Sequence, residues 1–425
     1  MNRFTFNNWD VITTEKFENQ ITQSKESNVL ASLIKSTAEQ GKPETLYCYR
    51  APMTDTKMVG YLPRAAVHGG LTENLDLLYN HEHFDSEMIL SVNLNWFEQK
   101  VGESSLEAID NYLESKLKTY NRKKRVTLLG LGDVGSMLAI GLKLLGGDTL
   151  ESLGIYDVNA SQKSRWEMEL NQITVNPKLK IHSIQREDLF DGDMFIFCAS
   201  KFVPKVGEEG KDVRMAQYEE NAMLIAQYAM QAREAGFKGI FAVVSDPVDL
   251  LCKKVWHSSN FSEIEGIMDY KGLLPEQIIG FGLGVMDGRA HYYSELLGMQ
   301  YSLHGRVFGP HGKDLVVSED IKNENQENSL VLTERVVTAN LEMRSLGYKP
   351  YIAPAISSGA NSIVKLLSGE QHYSAHFVNG IYWGTSNKMQ AYGVVFEPLM
   401  ISNALLSRIK ASYDKLGDIW KELNS

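Results

Sequence analysis

The sequence of 425 residues has little of what marks secreted, membrane or nucleic-acid-binding proteins. Its three cysteines, Cys48, Cys198 and Cys252, are scattered and odd in number, so they predict neither a disulfide framework nor a metal site. A formal net charge of −10 opposes binding to the phosphate backbone of nucleic acids and to acidic membrane surfaces. We therefore expect a cytoplasmic protein without a nucleic-acid partner.

Long apolar runs are also missing. The most apolar stretch, residues 126–147, is interrupted by Asp133, Lys143 and six glycines, which argues against a membrane-spanning helix. The first thirty residues are polar and contain no apolar core of signal-peptide length. His81 and His83 have the spacing of two metal ligands on a strand, but no third ligand lies near them in sequence. We expect neither a membrane partner nor a metal.

The order of apolar and polar residues predicts an α/β protein. Up to about residue 120, strand-like runs (46–49 and 88–94) mix with helical ones, of which residues 104–120 form the clearest helix. Ser104 and Glu107 make a capping box at its start. From residue 126 strands alternate with helices, the pattern of a doubly wound parallel sheet, and after Gly280 the pattern is that of an α+β domain.

A glycine-rich turn provides the strongest local signal. Gly130-Leu131-Gly132-Asp133-Val134-Gly135 follows an apolar strand and precedes a helix. In a Rossmann turn the first glycine permits the tight bend, the second lets a pyrophosphate approach the backbone, and the third brings helix and strand close together. The helix N-terminus supplies N–H groups and positive dipole charge to the anion. We assign dinucleotide binding to Gly130, Gly132, Asp133, Val134, Gly135 and Ala199.

Asp157 selects the dinucleotide. It ends the second strand, 27 residues after Gly130, where a carboxylate accepts hydrogen bonds from the adenosine ribose hydroxyls. The same charge repels a 2′-phosphate, so the sequence favours NAD over NADP. The competing interpretation of Asp157 is a helix N-cap.

Two further groups of residues carry potential chemistry. His311, in Gly309-Pro310-His311-Gly312, is of the residue type that exchanges protons near neutral pH, and a buried carboxylate such as Asp287 would fix its tautomer. From spacing alone, both residues are equally well explained as turn formers. The loop of residues 200–214 follows a strand and carries Lys201, Lys205 and Arg214, which suit a carboxylate or carbonyl ligand; the alternative is a solvated surface loop.

From about residue 126 onward the chain resembles the L-lactate/malate dehydrogenase family. The motifs that carry the resemblance occur in the same order: Gly130 to Gly135, Tyr156-Asp157, Arg214 to Asn221, Ser245 to Asp249, Gly280 to Asp287, Leu297-Gly298 and Gly309 to Gly312. The resemblance implies that His311 exchanges the substrate proton, that Asp287 is its carboxylate partner, and that Arg214 polarises the substrate carbonyl. It also implies a homo-oligomer, a dimer or tetramer.

The chain departs from the family at the positions that recognise the substrate. Asp246 stands where the family has asparagine, and an ionised aspartate can only accept hydrogen bonds. Ala290 occupies the place of the carboxylate-binding arginine, with Arg289 one position early, and Lys349 replaces a small residue of the pocket. We therefore assign substrate binding to Lys205, Asp246, Arg289 and Lys349, and expect a modified or larger 2-oxo acid.

Together these observations predict three domains and one activity. Residues 1–122 are an N-terminal α+β extension of unknown role, residues 123–280 an NAD-binding Rossmann domain, and residues 281–425 a catalytic α+β domain. The predicted activity is hydride transfer between NAD and a 2-hydroxy/2-oxo acid. Two alternatives remain: a dinucleotide-binding sensor that has lost this chemistry, and a dehydrogenase that forms carbon–nitrogen bonds.

Overall fold

The computed structural model describes residues 2–7, 9–13, 45–69, 74–79, 87–201 and 211–424. The strands are β1 (Asn2–Phe6), β2 (Trp9–Thr13), β3 (Thr45–Tyr49), β4 (Val59–Pro63), β5 (Met88–Asn93), β6 (Lys124–Leu129), β7 (Leu150–Tyr156), β8 (Lys180–Ser183), β9 (Met194–Phe197), β10 (Ile240–Val243), β11 (Phe261–Ser262), β12 (Ile267–Met268), β13 (Ile278–Gly280), β14 (Arg306–Phe308), β15 (Val316–Ser318), β16 (His372–Val378), β17 (Ile381–Gln390) and β18 (Gly393–Phe396). The helices are α1 (Arg64–Gly69), α2 (Leu75–Tyr79), α3 (Leu94–Val101), α4 (Leu106–Tyr120), α5 (Asp133–Leu145), α6 (Ala160–Asn171), α7 (Lys211–Glu234), α8 (Val248–Asn260), α9 (Leu283–Leu296), α10 (Gln326–Ser345), α11 (Ser362–Ser368) and α12 (Asn403–Leu423), with a π-helical segment, Pro354–Asn361, leading into α11.

A nine-stranded sheet of order β18-β17-β16-β13-β10-β9-β6-β7-β8 organises the molecule. Its strands β8, β7, β6, β9, β10 and β13 run parallel, in the order of a complete Rossmann sheet. The order reverses between β6 and β9, so a crevice opens at their carboxyl ends. The predicted α/β fold class is confirmed.

The C-terminal part of the chain extends this same sheet. Gly280 at the end of β13 pairs with Ala375 of β16 in antiparallel direction, and β17 and β18 follow as antiparallel neighbours. A small ribbon of β14 and β15, with α9 and α10, forms a separate apolar cluster beside the sheet. Residues on both sides of the expected boundary at Gly280 therefore share one sheet.

The N-terminal region forms a five-stranded sheet of order β1-β2-β3-β5-β4, followed by α4. The predicted helix is present, but its N-cap is Ser105, whose hydroxyl accepts a hydrogen bond from the Ala108 N–H, and the expected box at Ser104 is wrong. Val11 and Trp96 of this region belong to the same hydrophobic cluster as Phe195 of the Rossmann sheet. The extension therefore shares its core with the rest of the molecule.

An insertion between α8 and β13 contacts this N-terminal region. It contains the hairpin β11–β12 and continues to Tyr270, whose ring meets that of Trp96 edge-on at 5.5 Å. The Gln99 amide donates to the Asp269 carbonyl at 2.9 Å. The inserted segment and the N-terminal region are therefore in contact with each other. No helix within the described ranges is long and apolar enough to cross a membrane.

Candidate active site

The glycine-rich turn lies between the carboxyl end of β6 and the start of α5. Gly130 has a φ of +95°, and a Cβ there would lie 2.8 Å from the Ala199 nitrogen. A Cβ on Gly135 would lie 1.9 Å from the Gly130 carbonyl oxygen. A Cβ on Gly132, by contrast, would meet no atom within 4 Å. Gly130 and Gly135 are therefore required by the packing of this chain, whereas Gly132 leaves open space beside the N-terminus of α5.

Asp157 fastens the turn to the end of β7. One carboxylate oxygen accepts a hydrogen bond from the Leu131 N–H and the other from the Asn159 N–H, each at 2.8 Å. Each oxygen retains a lone pair for a further donor. The N-cap of α6 is Asn159, so the N-cap interpretation of Asp157 is wrong. Both carboxylate oxygens of Asp157 are thus oriented by backbone N–H groups beside the glycine turn.

Lys349 contacts this turn. Its ammonium nitrogen lies 3.2 Å from the Asp133 carboxylate, in an ion pair whose two side chains are each more than half exposed. Asp133 occupies the first turn of α5, where its charge suits the helix dipole but would repel an anion bound at the same place. The ammonium group of Lys349 thus contacts the turn predicted to bind the dinucleotide, and its assignment to the substrate pocket stays a prediction.

His311 is held at two points, its backbone N–H and its ring Nδ1. Its N–H donates to the Asp249 carboxylate at 2.9 Å, and its ring Nδ1 lies 2.6 Å from the Gly282 carbonyl oxygen. A carbonyl oxygen can only accept, so the geometry assigns the hydrogen to Nδ1 and leaves Nε2 as the acceptor of the neutral ring. The Gly282 carbonyl also accepts from the Ser358 hydroxyl at 2.7 Å. The ring tautomer needed by a general base at Nε2 is fixed.

Asp287 does not supply this tautomer. Its carboxylate accepts a hydrogen bond from the Tyr301 hydroxyl at 2.8 Å and lies 3.8 Å from the ring of His291. Burial raises the pKa of Asp287, and the Tyr301 hydrogen bond opposes that rise. The expected Asp287–His311 pair is therefore corrected: the Nδ1 position is taken by a carbonyl oxygen, and the carboxylate belongs to a neighbouring tyrosine cluster.

The carboxylate beside the reactive face of His311 is Asp246. Its Oδ1 lies 3.6 Å from His311 Nε2, and its side chain is 49% exposed, against 16% for His311. The Asp246 backbone is secured by Asn221, whose amide donates to the Asp246 carbonyl at 2.9 Å. In the described part of the chain no hydrogen-bond donor reaches the Asp246 carboxylate, so it faces the crevice together with Nε2.

Arg289 brings a positive charge toward the same place. This partly buried side chain on α9 donates from one nitrogen to the Val336 carbonyl at 3.4 Å and contacts the Met286 sulfur at 3.7 Å. Its Nε and Nη2 have no partner among the residues that the structure describes. Burial lowers the pKa of Arg289, while the negative charge of Asp246 raises it. A carboxylate ligand would supply the missing partner for the guanidinium.

Two more titratable groups interact with the charge of Asp246. Asp249, on α8, is buried, and the cost of burying its charge raises its pKa to about 7. Cys198 follows β9, and burial together with the charge of Asp246 raises the pKa of its thiol to about 12, which keeps it protonated. Cys198 is therefore not a nucleophile in the resting site, whereas Asp249 anchors the His311 backbone.

Of the remaining predicted residues, the structure describes two in full and one in part. Ala199 follows β9, and its carbonyl accepts from the Ser245 hydroxyl at 2.7 Å. Val134 lies in the first turn of α5. Arg214 lies within α7, but its side chain is outside the described residues, as is Lys205 altogether. Among the residues that the structure does describe, no group of histidine, cysteine and acidic side chains is arranged to hold a metal ion.

Sequence reasoning missed two determinants of His311. The Gly282 carbonyl, inside the quoted glycine-rich run, fixes the ring, and Asp249, inside the quoted Ser245 to Asp249 motif, fixes the backbone. A Cβ on Gly282 would lie 2.7 Å from the His311 Cβ, so the glycine itself was a signal of close approach. Because every residue has a main-chain carbonyl, a contact made by one cannot otherwise be predicted from the type of side chain.

Comparison with known proteins finds lactate and malate dehydrogenases. Residues 124–267 match the family model described as lactate/malate dehydrogenase, NAD binding domain. An L-lactate dehydrogenase of Streptococcus suis is 26% identical over 326 residues, covering 70% of this chain and 93% of that enzyme. L-lactate dehydrogenase 2 of Peribacillus psychrosaccharolyticus is 28% identical over 196 residues, covering 44% of this chain and 54% of that enzyme.

Solved structures share the fold. A lactate dehydrogenase from a Medee basin deep-sea metagenome library superposes with a TM-score of 0.58 at 19% identity, over 72% of this chain and all of that one. The malate dehydrogenase of Archaeoglobus fulgidus, solved in complex with NADH, has a TM-score of 0.58 at 16% identity, over 71% of this chain and all of that one. The part of this chain without a counterpart amounts to more than a quarter of its length.

Proposed function

We infer that this chain, which is similar to the lactate/malate dehydrogenases and has NAD as its cofactor, transfers a hydride between NAD and a 2-hydroxy/2-oxo acid. The observation that carries the proposal is the His311 ring, whose Nδ1 is committed to the Gly282 carbonyl and whose Nε2 is left to accept a proton. An imidazole whose orientation is fixed and whose Nε2 is open to the crevice is the arrangement that accepts a carbinol proton.

The glycine turn fits a dinucleotide. The open space over Gly132 and the free N–H groups at the start of α5 suit a pyrophosphate, and the remaining lone pairs of Asp157 suit ribose hydroxyls. Ala199 and Val134 border the same turn. When bound, the cofactor would supply the hydride as NADH or accept it as NAD⁺. The charge of Asp157 supports a preference for NAD over NADP.

We place the substrate acid between the side chains of His311 and Arg289. Nε2 of His311 takes the hydroxyl proton in the oxidative direction and returns it to the carbonyl oxygen in the reverse one. The free donors of Arg289 suit the substrate carboxylate. Arg214 and Lys205 are proposed to approach from the loop of residues 200–214. Asp246, an acceptor beside Nε2, supports a substrate other than lactate or malate, because it repels a carboxylate and cannot donate a hydrogen bond to the substrate carbonyl oxygen.

The test is turnover by the purified full chain. We expect NADH, and not NADPH, to be oxidised in the presence of at least one member of a 2-oxo acid panel. His311→Gln should reduce turnover by at least 100-fold while leaving the dissociation constant of NADH within about twofold, because it removes the proton carrier and not the cofactor site. Tight NADH binding without turnover of any acid would favour the sensor alternative.

The proposal includes a cellular compartment and an oligomeric state. Buried Cys48 and Cys252 and the half-buried Cys198 are all free thiols, which supports a reducing cytoplasm. A homo-oligomer, dimer or tetramer, is supported by exposed apolar side chains on the α9 and α10 helices, namely Leu296, Leu330, Val331 and Leu341. Light scattering of the purified protein checks this, and a mass of one chain at micromolar concentration would contradict it.

A further inference from the structure

Two hydrogen-bond acceptors face the same point of the crevice. In the tautomer that the Gly282 carbonyl fixes, Nδ1 of His311 holds the ring hydrogen and Nε2 carries a lone pair. Asp246 Oδ1, a carboxylate oxygen, lies 3.6 Å away. An atom that contacts Nε2 therefore also lies within reach of a negative charge that only accepts hydrogen bonds.

This arrangement discriminates between the groups that a hydride can reduce. A carbonyl oxygen has lone pairs and no hydrogen, so beside Asp246 it meets another acceptor and gains nothing. The nitrogen of a protonated imine has the opposite chemistry: it carries positive charge and at least one N–H. With ammonia as the amine the nitrogen has two N–H groups, one for Nε2 and one for Oδ1.

Arg289 provides the second charge that such a substrate needs. Its Nε and Nη2 are without partners in the described ranges, and it lies close enough to Asp246 for the two charges to interact. An iminium ion derived from a 2-oxo acid is cationic at nitrogen and anionic at the adjacent carboxylate. The pair Asp246 and Arg289 thus presents the complementary charges, negative beside the reacting atom and positive nearby.

Resting on the proposed function, we propose that this site also reduces the iminium ion of a 2-oxo acid, so that the protein joins ammonia or a primary amine to the acid through a carbon–nitrogen bond. The 2-oxo acid and the ammonium group condense to the iminium ion and release one water. The carbon of the C=N bond accepts a hydride from NADH, which leaves as NAD⁺. The π electrons become the nitrogen lone pair, which then takes one proton from solvent.

The first experiment compares products. The purified full chain is incubated with NADH and pyruvate, 2-oxobutyrate or phenylpyruvate, each alone, with ammonium chloride and with methylamine. We expect NADH oxidation to rise at least tenfold with one of the amines and mass spectrometry to find the amino acid or its N-methyl form. Hydroxy acid as the product at an unchanged rate would overturn the inference and leave the proposed function intact.

The second experiment measures binding without turnover. Calorimetry with racemic alanine and racemic lactate compares an ammonium group with a hydroxyl group on the same skeleton. We expect alanine to bind at least tenfold more tightly than lactate to the wild-type protein, and Asp246→Asn to reverse this order. Tighter binding of lactate by the wild type would overturn the inference. Absence of NADH oxidation in every mixture contradicts the proposed function, while this binding order still decides the inference.

A matched substitution controls for loss of charge alone. Asp148→Asn removes one negative charge from an exposed position in the turn after α5, outside the crevice. It should leave the alanine-to-lactate ratio and both rates unchanged. Asp246→Asn should reduce the amine-dependent rate at least tenfold and raise reduction of the 2-oxo acid alone, because an amide N–H can donate to a carbonyl oxygen.

Discussion

The Tyr301 hydroxyl donates a hydrogen bond of 2.8 Å to the Asp287 carboxylate, and this contact assigns Asp287 to a structural cluster instead of to His311. We expect Asp287→Asn to keep at least a third of the wild-type turnover number, because His311 Nδ1 is held by the Gly282 carbonyl. Steady-state kinetics with NADH and the 2-oxo acid turned over fastest measures this.

The free energy of unfolding gives a second measurement on Asp287 and Tyr301. Asp287→Asn retains an oxygen for the Tyr301 hydroxyl, so the free energy of unfolding should change by less than about 1 kcal/mol. Tyr301→Phe should lower it by about 1–3 kcal/mol, because the buried carboxylate loses its donor. Should Asp287→Asn be folded yet as slow as His311→Gln, the carboxylate partner of the histidine would be Asp287 after all.

Gly282→Ala tests the close approach of the backbone to His311. The new Cβ would lie 2.7 Å from the His311 Cβ and 2.8 Å from Nδ1, so the ring must move. We expect turnover to fall at least tenfold with NADH affinity preserved. Gly288→Ala, within the helix that follows Gly282, is the matched control, since its Cβ would meet only the Ser357 hydroxyl, at 3.9 Å. Equal effects of the two substitutions on turnover would contradict this account.

Gly132→Ala tests whether this glycine is needed to bind the dinucleotide and not to fold the chain. Its Cβ would meet no protein atom within 4 Å, so the melting temperature should stay within about 1 °C of the wild type. A pyrophosphate over the turn would meet this methyl group, so the NADH dissociation constant should rise at least tenfold. Gly130→Ala, at a φ of +95° and against Ala199, should destabilise the fold itself. Unchanged NADH affinity in Gly132→Ala would place the dinucleotide elsewhere.

The buried Asp249 predicts a pH dependence of stability. Its pKa of about 7 in the folded chain lies above its ordinary value of 3.8. A carboxyl whose pKa is raised on folding contributes its stability fully below pH 3.8 and loses it as the pH rises through 7. Between pH 5 and pH 8 the wild type should therefore lose about 2–3 kcal/mol more unfolding free energy than Asp249→Asn.

Urea unfolding of both proteins at the two pH values measures this difference. The asparagine keeps an oxygen for the His311 N–H, so the contact itself survives the substitution. Parallel losses of stability in the two proteins would show that Asp249 is ionised in the folded chain at pH 5.

Much of the fold was already determined by the sequence. Strands alternating with helices after residue 126 specify a parallel sheet, and the glycines of the turn between β6 and α5 specify where its crevice opens, because each reflects a local requirement of backbone geometry. The spacing of Gly130, Gly135 and Asp157 was sufficient to predict their position at one edge of the sheet, and the structure places them there.

Only the tertiary structure decided which carboxylate faces His311. Asp287 lies on α9, where each residue turns the side chain by about 100°, so a shift of one position changes its neighbours entirely. Asp246 and Asp249 are distant from His311 along the chain and meet it because the ends of β10 and β14 converge. Likewise, Lys349 reaches Asp133 across 216 residues. Sequence spacing describes local geometry, whereas the charges that select a substrate are brought together by packing between distant elements.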